Sequence, residues 1–277
     1  MYKVLAVDLD GTLTDNQKKV PPRNTHTLIR AQQQKGMRIV LASGRPVQGI
    51  IPLARQLHLQ HFGGFIMAFN GGCIIDCKTG EYIYRKELTP AHYPSIFEKA
   101  CRAGLHLIAY HQGHVCCEQP DSQYARYAAF TNNMPIRHVR SFPAFLGFPV
   151  PKILVAGSPS LIEPLEAEMH HHLMGRMSVC RSEPFFLEIL PEGVNKAVAL
   201  DHLLQRIGVK AEEAIACGDG FNDVCMIEYA GLGVAMGNAQ EAVKRAASLT
   251  TASNEECGVA QVVEQFVLAA SPAQSSI

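Results

Sequence analysis

The sequence predicts an α/β protein: a Rossmann-like, doubly wound parallel sheet forms the core, and a smaller α+β unit is inserted into it. Three observations carry this reading. Short β-branched runs alternate with longer amphipathic ones over residues 1–85. The same rhythm returns over residues 188–277. Between them, residues 86–187 show more alternating strands, more prolines and less regular helices. Strands apolar on both faces and separated by helices belong to a parallel sheet covered on both sides.

Each element follows in order. The run KVLAV (3–7) reads as a buried strand, and 22–35 as a helix that stops at Gly36. RIVLA (38–42) is a second strand, 47–57 a second helix and GFIMAF (64–69) a third strand. In the middle, HLIAYH, HVCCEQ, KILVAG, RMSVCR and FFLEIL read as strands, with helices over 91–103, 121–130 and 160–174. The core resumes with a helix over 195–207, a strand over 213–218, a helix after Phe221-Asn222-Asp223 and a strand over 231–236. Helices near 238–246 and 255–268 close the chain, and the tail SPAQSSI is expected to fray.

Composition narrows the partners. Lys plus Arg and Asp plus Glu both total 25, so no bulk field draws the protein to nucleic acid or an anionic membrane. The N-terminus is too short and acidic for a signal peptide, and no uncharged apolar run reaches a spanning length. Nine scattered cysteines read as reduced thiols; the close pairs Cys73/Cys77 and Cys116/Cys117 lack the matching second pair that a zinc site needs. A cytoplasmic protein is expected. The run His170-His171-His172 lies on an expected helix and reads as a solvated face.

In a doubly wound sheet, ligands gather at the carboxyl ends of the strands. The first strand delivers Asp8, Asp10, Gly11 and Thr12 there, and the second Ser43, Gly44 and Arg45. The third delivers Asn70, Gly71 and Gly72, and the strand over 213–218 delivers Gly218, Asp219, Asn222 and Asp223. Lys196 opens a helix leading to the same edge. Clustered carboxylates cannot all ionise without a cation, and hard oxygen donors favour Mg²⁺. With Asp8 and Asp219 on Mg²⁺, Lys196, Ser43 and the glycine-turn N–H groups would share the charge of a phosphate. This inventory suits phosphoryl transfer. Asp8 is the better nucleophile and Asp10 the better general acid and base.

The segments DLDGTLTD, ASGR, the lysine of PEGVNKAVAL and GDGFNDVCM resemble, in order, the four motifs of the haloacid dehalogenase (HAD) superfamily. The match is closer still to its Cof-like branch, which has FNGG-type residues after the third strand and a type IIB cap between the second and third motifs. The resemblance implies a Mg²⁺-dependent phosphatase working through an aspartyl-phosphate on Asp8, with Asp10 as acid and base. It implies Ser43, Gly44, Lys196 and Asn222 around the phosphate, and Arg45, Asn70 and Gly71 near the leaving group. It implies Mg²⁺ on Asp8, the Asp10 backbone carbonyl and Asp219, with Asp223 a ligand through water or a supporting partner. A carboxylate at Asp10 argues against dehalogenation.

A small phosphorylated metabolite, by default a sugar phosphate, is the expected substrate of a monomer or weak homodimer. His111, His114, Glu118, Arg126, Tyr127, Arg181 and Glu188 are the candidates for reading it from the cap. The competing readings are a phosphomutase or phosphotransferase of the same fold, a metal-binding glycosyltransferase, and a non-catalytic metabolite sensor.

Overall fold

The computed structural model describes residues 1–269; the tail expected to fray, 271–277, lies outside the described residues. The chain opens with β1 (Val4–Val7), β2 (Arg38–Ala42), β3 (Phe65–Ala68), β4 (Cys73–Asp76) and β5 (Tyr82–Arg85). It continues through β6 (His106–His111), β7 (His114–Cys117), β8 (Ile136–His138), β9 (Ile153–Ala156), β10 (Met177–Glu183) and β11 (Phe186–Pro191). It closes with β12 (Ala214–Gly218), β13 (Leu232–Ala235) and β14 (Leu249–Thr250). These strands make an eight-stranded sheet in the order β14-β13-β12-β1-β2-β3-β4-β5 and a six-stranded sheet in the order β10-β11-β9-β6-β7-β8.

From β14 to β3 the first sheet is parallel; β4 and β5 add an antiparallel meander at its edge. The doubly wound core is therefore as the periodicity predicts. Strands β4, β5, β8 and β14 and the short helix Leu59–Phe62 were not expected. Strands β5 and β8 are half-exposed and β14 and the helix very short, so they leave little apolar signal, while the buried β4 follows β3 with only residues 69–72 between them. In the second sheet every pairing is antiparallel except β7 with β8. Strand β11 carries residues 188–191, read from sequence with the first unit, into the second sheet, where Glu188 pairs with Leu154 and Ile189 with Ile153.

Helix Pro22–Lys35 shows how the sequence builds these layers. Proline at its first position fits the fixed φ there, and Gly36 at φ 63° closes it with N–H bonds back to Ala31 and Gln32. Its buried residues, Asn24, Thr27, Leu28, Ala31 and Gln32, recur at helical spacing. That stripe faces the helix Gly258–Val263, whose Ala260 N–H donates to the Asn24 amide oxygen at 3.1 Å. The two units join through neighbouring crossings, where the Lys86 N–H bonds the Gly72 carbonyl at 2.8 Å and the Lys86 ammonium reaches the Glu192 carbonyl.

Candidate active site

The helix Lys196–Arg206 starts at Asn195, whose side chain accepts the Val198 N–H at 2.9 Å. Its buried stripe is Lys196, Ala199, Leu200, Leu203 and Leu204. A lysine thus occupies an apolar position, fully buried at 0% exposure. Such a charge needs partners. The Lys196 ammonium lies 2.6 Å from Asp8 Oδ1, at the end of β1, and 2.6 Å from Asp223 Oδ1, beyond β12. Asp223 Oδ2 accepts the N–H groups of Asp219 and Gly220 at 3.0 Å each, so both its oxygens are engaged. Asp219 Oδ1 accepts the Thr12 hydroxyl at 2.7 Å. Gly11, at φ 85°, admits the Asp219 carboxylate: a Cβ there would stand 2.3 Å from Oδ2.

Asp8, Asp219 and Asp223 each present an oxygen within 4.8 Å of the others. Burial raises the Asp8 pKa well above the ordinary carboxylate range; Lys196 opposes it, and Asp223 and Asp219 add to the rise. Burial likewise lifts Asp219 to about 6, against the Thr12 hydrogen bond and with Asp223 reinforcing the rise. Three acids sharing one ammonium leave negative charge that a divalent cation would neutralise. The all-oxygen donor set suits Mg²⁺, and Asp8 and Asp219 have more free coordinating capacity than the fully engaged Asp223.

Asp10 faces elsewhere. Arg45 grips its carboxylate with two hydrogen bonds of 2.6 Å, from Nε and Nη2, and the Lys18 ammonium lies 2.9 Å from Oδ1. Its side chain is therefore outside the acid cluster, and only its backbone carbonyl remains to serve a cation. Burial pushes the Asp10 pKa up, but Arg45 and then Lys18 outweigh it and hold the group below the ordinary value. Lys18 reaches Asp10 from a turn that Asp15 holds, its carboxylate accepting the N–H groups of Gln17 and Lys19 at 2.9 Å each. Lys18 itself takes φ 63°, a left-handed conformation that this turn imposes. Sequence reasoning missed Lys18; a lysine in a polar loop carries no periodic signal.

A cavity of about 360 Å³ opens between the two sheets. Asp8, Asp10, Gly11, Ser43, Gly44, Arg45, Asp219, Asn222 and Asp223 line it from the first unit. Lys196 lies beneath, buried under Asp8. Asn70 and Gly71, expected near the leaving group, are not among the lining residues. Asn70, at φ 55°, instead links Asn222, which donates to its Oδ1 at 2.9 Å, to Glu188, which accepts from its Nδ2 at 2.8 Å. Gly71, at φ 96°, lies against the Asn195 carbonyl, 2.5 Å from where a Cβ would stand; it serves close packing.

The second unit lines the cavity with Tyr110, Tyr127, Asn132, Lys152, Glu183 and Glu188, among others. Of the seven cap candidates, Tyr127 and Glu188 face it. The others have their own partners: Arg181 pairs with Glu166, Arg126 with Asp121, Glu118 with the Phe142 N–H, His111 with the Phe148 ring and His114 with the Gln112 carbonyl. Lys152 was missed because it stands next to an apolar strand run and looks like a strand-edge charge.

Comparison with known proteins follows the same outline. A family profile described as haloacid dehalogenase-like hydrolase matches residues 5–263. The 5-amino-6-(5-phospho-D-ribitylamino)uracil phosphatase YcsE of Bacillus subtilis is 29% identical over 271 residues, spanning 96% of each chain. The HMP-PP phosphatase of Serratia proteamaculans is 30% identical over 252 residues, spanning 88% of this chain and 87% of the relative. The crystal structure of a haloacid dehalogenase-like hydrolase from Bacteroides thetaiotaomicron superposes with a TM-score of 0.88 at 45% identity, over 95% of this chain and 99% of that one. With motifs, fold and near full-length similarity in agreement, the chain belongs to the haloacid dehalogenase-like hydrolase family.

Proposed function

We propose that this protein is a Mg²⁺-dependent phosphatase that hydrolyses small phosphomonoesters through an aspartyl-phosphate on Asp8, with the second unit, residues 86–191, acting as a cap. The observation that carries the reading is the buried Lys196 bridging Asp8 and Asp223 at the base of a cavity lined by Ser43, Gly44 and Asn222. Asp8, Asp219 and the Asp10 carbonyl would hold Mg²⁺, with Asp223 supporting; when bound, the ion supplies positive charge toward the phosphoryl oxygens. Asp8 attacks phosphorus as the alcohol leaves. Asp10 protonates that alcohol, then deprotonates the water that hydrolyses the acyl-phosphate. Arg45 and Lys18 hold Asp10 ionised in the arrangement described above, which matches its state before it accepts a proton from that water. To act as the acid it must loosen from them.

The test is a phosphate-release screen across phosphorylated sugars, polyols and heterocycles, with Mg²⁺ and with excess EDTA. Release from at least one monoester with Mg²⁺, falling to background in EDTA, is the expected result; undiminished release in EDTA removes the metal from the reading. A single isomeric product with little free phosphate would instead indicate a mutase.

A second prediction concerns stability. Asp219 is raised to about 6, so the native metal-free protein holds that proton more tightly than the unfolded chain does. Its stability therefore falls as pH rises from the ordinary carboxylate range through about 6. Mg²⁺ opposes this loss. Saturating Mg²⁺ should raise the Tm by about 5–10 °C at pH 7 and by much less at pH 5. Scanning calorimetry at both pH values decides it, and equal gains would contradict the assignment.

A further inference from the structure

We propose that Lys152 and Glu188, both on the second unit, form a latch that holds this unit down on the phosphate end of the site and positions Asn70, Asn222 and the Gly44–Arg45 peptide. The inference rests on the phosphatase reading for its kinetic consequences. Its geometry does not.

The two side chains form an ion pair at 2.6 Å, and each is 3% exposed. They are neighbours within their own sheet, since Glu188 pairs in register with Leu154 and Lys152 immediately precedes β9. A purely structural pair would be complete there. Instead each partner directs its remaining hydrogen-bonding capacity across to the first unit. The Lys152 ammonium donates to the Gly44 carbonyl at 2.7 Å, and Glu188 Oε2 accepts the Asn70 amide at 2.8 Å.

What these two bonds touch gives the latch its function. The Gly44 carbonyl belongs to the same peptide plane as the Arg45 N–H, which donates to Ser43 Oγ at 3.1 Å. Fixing that plane fixes the hydroxyl's partner. Asn70, pinned by Glu188, holds its amide oxygen for Asn222 at 2.9 Å, which leaves the other Asn222 N–H for the cavity that this residue lines. Gly44 leaves room for this: a Cβ there would lie 3.3 Å from the Asn70 amide. Lys152 and Glu188 are thus positioning residues. Seating the second unit and ordering two proposed phosphate-binding groups become one event, and unseating it releases both.

Removing one partner alone would strand a buried charge, so the test replaces both. In Lys152→Met/Glu188→Gln an acceptor for Asn70 remains, while the donor to Gly44 is lost. In Lys152→Met/Glu188→Met both cross-unit bonds are lost and an apolar pair of similar volume remains. With p-nitrophenyl phosphate and Mg²⁺, the first variant should raise KM about tenfold and leave kcat within about threefold. The second should lower kcat/KM about 100-fold. Small-angle scattering in inorganic phosphate should give a larger radius of gyration for the second variant than for the wild type. A role in stability alone would lower Tm without moving KM or the radius. Wild-type KM, kcat and radius in both folded variants overturn the latch. A wild-type protein that releases no phosphate refutes the phosphatase reading instead, and the scattering comparison still decides the latch.

Discussion

Asp8→Asn protein is expected to fold normally and to release phosphate at least about 10⁴-fold more slowly than the wild type. Asparagine matches the aspartate in shape and offers no carboxylate to attack phosphorus. The effect on folding has the opposite character. Asp8 is buried, and burial together with Asp223 and Asp219 disfavours its charge. Lys196 keeps Asp223 as a partner at 2.6 Å after the change. The metal-free variant should therefore melt no lower than the wild type, while its gain in Tm from Mg²⁺ shrinks. Phosphate release and calorimetry on the same preparation check both halves. Retained turnover would remove Asp8 from the mechanism, and a collapse in Tm would show that its charge is structural.

Lys196→Met should fail in the reverse pattern, losing both stability and activity. The lysine is fully buried and is the ammonium that Asp8 and Asp223 share. Methionine fills the volume and leaves the acids uncompensated, a loss of about 3–5 kcal/mol in EDTA. Mg²⁺ should restore part of this, because a cation among the same oxygens replaces part of the missing charge. Turnover should remain about 10³-fold down even at saturating Mg²⁺, since the group steadying Asp8 is gone. Urea unfolding with and without Mg²⁺ measures the first effect, and initial rates the second. A variant as stable in EDTA as the wild type would mean that the acids are not ionised together in the native protein.

The sheet and the edge where the site forms were legible because they rest on long-range regularities. The runs at 4–7, 39–42, 65–68 and 214–218 are apolar throughout, and the polar residues that follow each one bring Asp8, Ser43, Asn70 and Asp219 to one end of the sheet. Lys196 was legible as the residue that opens a helix leading to that same edge. The partners of Asp10 were not. Arg45 and Lys18 dominate its surroundings, and only the turn built on Asp15 brings Lys18 within reach. Lys152 and Glu188 were illegible as a pair for the same kind of reason. Which faces of two sheets meet across a cleft is set by the packing of whole units, and a one-residue register shift would turn both side chains away.

The pairing of β1 with β12 has a consequence for how the protein is made. The first five strands can pair with one another soon after synthesis, because β1, β2, β3, β4 and β5 are sheet neighbours in chain order. The other flank of β1 waits for β12, and Lys196 meets Asp8 across a sequence separation of 188 residues. A contact that distant closes late and slowly. Until then β1 presents an open, apolar edge, a liability for a nascent chain. Asp8, Asp219 and Asp223 come together in that same final closure. No truncated or half-folded product should carry phosphatase activity, and the appearance of activity during refolding should report the last cooperative step rather than an early one.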